Sequence, residues 1–187
     1  VVILGNSGFI GAALEKDLKG KGEIRVEGFN SSALDLSLKE SSENLAKILN
    51  KETILFILSR SRKKQNKIDG FQHNILIDQS IARCLEKTPI KKCLYFSSIS
   101  VYGEAVTNSE IKENTPVDPS TLYGITKYAG EKLLQITAQK TGFPLLILRC
   151  CKVFGPKNSD IISYGPDQFI NTISKNSKLA LFGDGEE

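Results

Sequence analysis

The chain has 187 residues, 40% hydrophobic and 25% charged, a mix that excludes collagen, coiled coil and wholesale disorder. That length makes one domain, or one and part of another, able to bury a core without staples. The net charge of +4 is a mild basic excess, and the densest basic run, Arg60-Ser61-Arg62-Lys63-Lys64 with Lys67 beyond it, has no stacking aromatics around it. Nucleic acid is therefore not an expected partner. The run reads as a solvated loop, or as a positive rim that draws in an anionic small ligand.

Val1-Val2-Ile3-Leu4 is a short apolar run, as in a buried parallel strand, and Gly5 ends it. Ile10, Ala13, Leu14 and Leu18 have helical spacing, stopped by Gly20 and Gly22. Ile24, Val26 and Gly28 alternate with polar residues and predict a second strand. Leu45, Ile48 and Leu49 mark a helix starting near Ser41-Ser42. Ile54 to Leu58 predicts another buried strand, and Ile75, Ile77, Ile81 and Leu85 a helix over about 72–87. Cys93-Leu94-Tyr95-Phe96 is a strand, followed by Ser97-Ser98. A polar, Pro-containing loop covers 103–120. A long helix runs from about 121 to 141, where Gly142 and Pro144 end it, and Leu145 to Leu148 is a further strand. Strands alternating with helices in this way predict an α/β fold, a doubly wound parallel sheet of Rossmann type.

The four cysteines are Cys84, Cys93, Cys150 and Cys151, with no CxxC spacing, and His73 is the single histidine. No metal site is expected, and His73 reads as a surface or helix-start residue. Buried free thiols fit a reducing cytoplasm. No apolar run approaches the roughly 18 residues of a membrane helix, so a cytoplasmic protein with no membrane partner is the expectation.

Gly5-Asn6-Ser7-Gly8-Phe9-Ile10-Gly11 follows a strand and opens a helix, the context in which glycines at this spacing bind a dinucleotide. Gly5 allows the tight turn, Gly8 lets backbone approach a pyrophosphate, and Gly11 lets the helix pack close. The helix N-terminus offers free N–H groups to the phosphates. The ribose reader belongs about 20 residues on, near Asn30, Ser31 and Ser32. An Asp there favours NAD and a nearby Arg favours NADP; this chain has neither. Asp35-Leu36 follows, and Asp35 also reads as a loop or capping residue.

Ser98 falls at the C-terminal end of a central strand, where such folds keep their sites. Tyr123 and Lys127 are four apart on a helix, so they share a face about 6 Å apart along the axis. In one ordered series stand Phe96-Ser97-Ser98-Ile99-Ser100-Val101-Tyr102-Gly103, Glu113, Pro116, Pro119, Tyr123-Gly124-Ile125-Thr126-Lys127 and Glu131.

With these motifs the chain resembles the extended short-chain dehydrogenase/reductases, the NAD-dependent epimerase/dehydratase family acting on nucleotide sugars. The resemblance extends through Asn74, Leu148-Arg149, Val153-Phe154-Gly155-Pro156 and Phe182-Gly183-Asp184-Gly185. It implies Tyr123 as the general base and acid on a sugar hydroxyl. Lys127 would assist its ionisation and hold the nicotinamide ribose, and Ser98 would hydrogen-bond the same sugar oxygen. It implies cofactor contacts from the glycine motif, from Asn30, Ser31, Ser32, Asp35 and Leu36, and from Leu58, Ser59 and Arg60. Ser100 and Lys152 join Ser98 and Tyr123 on the substrate side. The cofactor is NAD or NADP, with NAD slightly favoured.

Family dehydratases carry an acidic pair beside the catalytic Ser or Thr. Ile99 and Ser100 stand there, which favours a nucleotide-sugar 4-epimerase. An NADP-dependent keto-sugar reductase and a non-catalytic dinucleotide-binding regulator are the alternatives. Departures from the family pattern are Arg60, where small residues are usual, and Lys152, where Asn is usual. Arg60 could approach the cofactor phosphates or obstruct them; Lys152 could meet a sugar-nucleotide phosphate. The expected organisation is a dinucleotide-binding domain at 1–155 carrying the catalytic residues, with the start of a truncated substrate lobe at 156–187. The absence of Met and the ending at 182–187 point to a piece of a longer product, expected to bind cofactor but not to close alone on a sugar nucleotide. Homodimerisation is an expectation at the level of the family.

Overall fold

Among the described residues five short parallel strands form one sheet: β1 (Val2–Leu4), β2 (Glu27–Phe29), β3 (Ile54–Ile57), β4 (Lys92–Ser98) and β5 (Leu145–Cys150), in the order β2-β1-β3-β4-β5. The helices between them are α1 (Phe9–Gly20), α2 (Ser41–Ala46), α3 (Ile68–Leu85) and α4 (Leu122–Thr141), with a 3-10 turn at Ile99–Tyr102. A fifth helix, α5 (Pro166–Ser174), was not among the elements expected from periodicity. This computed structural model describes residues 1–22, 24–61, 67–103, 110–155 and 166–175. Arg62, Lys63, Lys64, Pro156 and the 182–185 motif lie outside them.

The chain divides into two compact units, Val1–Cys151 and Lys152–Glu187. In the first, Val2, Leu4, Leu55, Ile57, Cys93 and Tyr95 from the strands meet Leu45, Ile77, Ile81, Leu85 and Leu134 from the helices in one core. α3 packs against both α2 and α4. In the second, the described part of α5 leaves Phe169, Ile170 and Ile173 exposed.

Most boundaries follow the periodicity, with one instructive shift. β2 begins at Glu27, and Ile24 and Val26 precede it. As the outer strand it pairs only with β1, Val2 opposite Glu27 and Leu4 opposite Phe29, so the three residues of β1 limit its length. α4 is bounded as its sequence dictates. The Thr121 hydroxyl accepts the Gly124 N–H at its start, and Gly142 ends it with φ +85 in the left-handed region.

Chain order reverses between β1 and β3: β2 lies on one side of β1, and β3 leads away on the other. In open parallel sheets the crevice at the carboxyl ends of those strands is the place for a ligand. Both the glycine loop after Leu4 and the Ser59-Arg60 segment after β3 open there.

Candidate active site

The glycine loop is built by close backbone approach. Gly5 has φ +93, and a Cβ on it would lie 2.7 Å from the Ser59 nitrogen and 2.8 Å from the Leu58 carbonyl carbon. A Cβ on Gly11 would lie 2.3 Å from the Gly5 oxygen. Side chains at these positions would push α1 away from the loop and β1 away from β3. Gly8 caps α1 with no side-chain hydrogen bond, and the first turn holds no acidic residue. The N–H groups around Phe9, Ile10 and Gly11 therefore keep their capacity for an anion. The half-buried Asn6 donates its amide to Glu15 Oε2 at 2.8 Å, and its Oδ1 is buried without a partner, as is the Ser59 hydroxyl. Ser7 is exposed at the loop tip. Leu58 donates its N–H to the Leu4 carbonyl at 2.8 Å and so ties the β3 exit to β1.

At the end of β2 one of the candidate ribose readers is engaged locally. Asn30 Oδ1 accepts the N–H groups of Ser32 and Ala33, both at 3.0 Å, while Ser31 and Ser32 are exposed. Asp35 Oδ1 accepts the Ser37 hydroxyl at 2.6 Å and the Ser37 N–H at 2.9 Å, and these bonds lower its pKa. These are bonds of the kind a loop Asp makes. Leu36 is buried in the core.

Ser98 ends β4. Its hydroxyl donates to Ser100 Oγ at 3.1 Å and accepts the Ser100 N–H at 3.2 Å, which starts the 3-10 turn. The first turn of α4 leans on that turn: a Cβ on Gly124 would lie 2.4 Å from the Ser100 carbonyl oxygen. Only a glycine after Tyr123 allows this approach, and Tyr123 itself is half-buried.

Lys127, one turn further, is 5% exposed. Its ammonium donates to the Phe96 carbonyl at 2.5 Å and lies 4.9 Å from the Tyr95 ring centroid. Burial first, and then the Arg60 guanidinium, bring its pKa down to about 7; Asp78, Cys150 and Glu131 pull the other way.

Arg60 turns inward. Its guanidinium carbon is 5.6 Å from the Tyr123 ring centroid, and Nη1 meets Asp78 Oδ2 at 3.4 Å, the two side chains being 9% and 2% exposed. Arg60 Nε and Nη2 and Asp78 Oδ1 are buried without partners. Burial raises the Asp78 pKa, and the cations of Arg60 and Lys127 lower it in part. Tyr95 donates its hydroxyl to Asp78 at 3.5 Å, and Asn74 holds Ser61 through its N–H at 2.9 Å and its carbonyl at 3.3 Å.

A second buried cluster supports the same floor. Glu131, fully buried, accepts the Ser97 hydroxyl at 2.5 Å and a bidentate Arg149 at 3.1 and 2.8 Å. Arg149 also donates to the Tyr102 hydroxyl at 2.9 Å, which donates to the Lys112 carbonyl. Residue patterns alone did not single out Asp78 or Tyr95. The signal for Asp78 was there: a carboxylate on the otherwise apolar stripe Ile77, Ile81, Leu85 of α3. Lys152 belongs to the second unit. Among the described residues no group of His, Cys, Asp and Glu could hold a metal ion, and no helix is long and apolar enough to cross a membrane.

The described elements also match known proteins. The uncharacterized UDP-glucose epimerase YtcB of Bacillus subtilis is 33% identical over 115 residues, 62% of this chain and 35% of that protein. The N-acetyl-alpha-D-glucosaminyl-diphospho-ditrans,octacis-undecaprenol 4-epimerase of Escherichia coli O157:H7 is 25% identical over 174 residues, 84% of this chain and 50% of its own length. The chain thus spans about a third to a half of these relatives. Among solved structures, the UDP-N-acetylglucosamine 4-epimerase of Methanobrevibacter ruminantium M1 has TM-score 0.82 at 25% identity, over all of this chain and 66% of that one. The UDP-glucuronic acid 4-epimerase of Bacillus cereus, solved with UDP-glucuronic acid and NAD, shares the fold at TM-score 0.79 and 22% identity, over 98% of this chain and 66% of that one. The NAD dependent epimerase/dehydratase family matches residues 1–187. With the glycine loop, the Ser98 turn and the Tyr123–Lys127 helix on one parallel sheet, the chain belongs to the NAD-dependent epimerase/dehydratase family.

Proposed function

We propose that this chain is the dinucleotide-binding and catalytic part of a nucleotide-sugar 4-epimerase that uses NAD. The observation that supports the reading is the packing of Gly124 on the Ser100 carbonyl, which seats the start of α4, with Tyr123 and Lys127 one turn apart on it, against the turn that Ser98 begins. The uncapped α1 N-terminus and the orphaned Asn6 and Ser59 oxygens suit a pyrophosphate and its ribose. The dinucleotide, when bound, supplies the redox chemistry, a place for the hydride of the sugar carbinol to go and return from.

The residues of the chain handle the proton. Tyr123 takes it from the sugar hydroxyl and later gives it back, and Ser98 holds the same oxygen by a hydrogen bond. Lys127 favours the phenolate by its charge. Ile99 and Ser100 follow Ser98 where the dehydratases of the family carry an acidic pair, which favours epimerisation over elimination of water. The relatives named for UDP-sugar 4-epimerisation support the same class.

The test is Tyr123→Phe in the full-length protein, loaded with NAD and assayed on UDP-sugars by NMR of the anomeric protons. Loss of general acid-base catalysis predicts a fall in kcat of about a hundredfold or more. Unchanged turnover sinks the mechanism. Net oxidation of added NADPH by a keto-sugar, in place of cofactor-neutral interconversion, would favour a reductase.

A further inference from the structure

The Arg60–Asp78 pair has no place in the reaction as described, yet it is buried, with Arg60 against the Tyr123 ring and both charges acting on Lys127. Its geometry is that of a charge held in place and left under-satisfied. Asp78 Oδ2 takes one Arg60 nitrogen and the Tyr95 hydroxyl, while the other Arg60 donors and Asp78 Oδ1 find nothing. α3 and α4 close tightly around it: a Cβ on Gly130 would lie 2.7 Å from Asp78 Oδ2 and 2.2 Å from the Tyr95 hydroxyl. Such a pair is poor as a source of stability, because desolvation of both ions offsets their attraction. It is well suited to acting on a neighbouring charge, because low-dielectric surroundings screen little.

We propose that Arg60, anchored by Asp78, is a positioning residue of the site, fixed against the Tyr123 ring and acting by charge on the Lys127 ammonium. The proposal rests on the reading of Tyr123 and Lys127 as the proton-transfer pair. Lys127 is acted on by charged or titratable groups from each element around it: Arg60 after β3, Asp78 from α3, Tyr95 from β4, Glu131 from α4, and Cys150 from β5. Glu131 is already matched by Arg149, and burial keeps Tyr95 neutral. Beyond the effect of burial itself, Arg60 and Asp78 are the charges that act most strongly, and in opposite senses, on how readily Lys127 holds its proton. Arg60 weakens that hold, and Asp78 strengthens it. The pair is thus a device for setting the charge beside the base.

The experiment needs neither substrate nor cofactor. Lysine labelled with carbon-13 at Cε reports the titration of each ammonium by NMR in the full-length protein, and Lys127→Arg identifies the Lys127 signal. The expected wild-type midpoint is about 7. Arg60→Met raises it, by about one unit or more. Asp78→Asn lowers it, the double variant falls between the two singles, and Arg60→Lys stays near wild type. A packing role alone predicts something else: either single change loosens the cluster, admits water and moves Lys127 upward. Upward movement in both singles, or no movement in either, overturns the proposal. Should Arg60→Met fail to fold with Asp78 unpaired, the comparison of Asp78→Asn with the double variant replaces it, and the midpoint must still rise. Failure of the Tyr123→Phe assay would remove the reaction while leaving these midpoints as they are, so the two readings fail separately.

Discussion

Gly11 and Gly20 stand at opposite ends of α1 and mean opposite things. A Cβ on Gly11 would collide with the Gly5 carbonyl, a backbone atom that cannot swing aside. Gly11→Ala should destabilise the chain by about 1–3 kcal/mol, as overpacking does, and weaken NAD binding by lifting α1 from the loop. Urea denaturation and a fluorescence titration with NAD check the two effects. At Gly20 an added Cβ meets nothing within 4 Å and φ is not positive. Gly20→Ala should therefore raise stability by about 0.4–1 kcal/mol and leave NAD binding unchanged. The glycine spacing was legible in the sequence; the difference in consequence is not, because it depends on which backbone faces each position. The same holds for Asn30. Its place after β2 marked it as a ribose reader, and its carbonyl oxygen is spent on its own turn.

At the scale of elements, α4 decides the site, and three local devices hold it. Thr121 caps its first turn, Gly124 seats it on the Ser100 carbonyl, and Glu131 ties it to β4 through Ser97 and to β5 through Arg149. Thr121→Ala should cost about 1 kcal/mol in chemical denaturation. Glu131→Gln leaves Arg149 with one of its two bonds to residue 131, its bond to Tyr102, and no counter-ion. The loss should be about 3 kcal/mol, the low end for a broken buried pair because the Arg149 side chain is 22% exposed. The double variant Glu131→Gln, Arg149→Met should lose less than the two single losses added together, which a double-mutant cycle measures. The span of α4 could be read from its caps and period, since both are local. The lengths of β2 and α3 could not be read as well, because pairing with β1 and packing against α2 and α4 set them.

At the scale of the whole molecule, the buried cations make stability depend on pH. The Lys127 pKa is near 7 in the folded chain and at the ordinary lysine value, 10.5, in the unfolded one. Below pH 7 both states hold the proton, and the folded state carries the full penalty of a buried charge. Between those values the unfolded state alone holds it, so stability rises with pH across that window. Cys93 acts in the other direction. Burial pushes its thiol up to about 12 from 9.0, so stability is lost as pH climbs above 9.0, where the unfolded thiol ionises first. The urea midpoint of the cofactor-free chain should therefore be higher at a pH near the top of the 7–9 interval than at pH 6. Lys127→Met should raise the midpoint at the lower pH and flatten the difference. A Lys127→Met variant with the wild-type pH dependence would show that Lys127 is not the source.

The alternation of apolar runs with helical periods determined a parallel α/β sheet, because strand and helix patterns are properties of neighbouring residues. The same local logic determined the glycine loop at a helix start and the shared face of Tyr123 and Lys127. What the tertiary structure decided lies between residues far apart in the chain. It joined Arg60 after β3 to Asp78 on α3 and to the ring of Tyr123 on α4. It also took from Lys127 the solvation that keeps an ordinary lysine charged. Charge in a protein interior depends on what surrounds a group in space, and only the packing of the sheet with α3 and α4 supplies that.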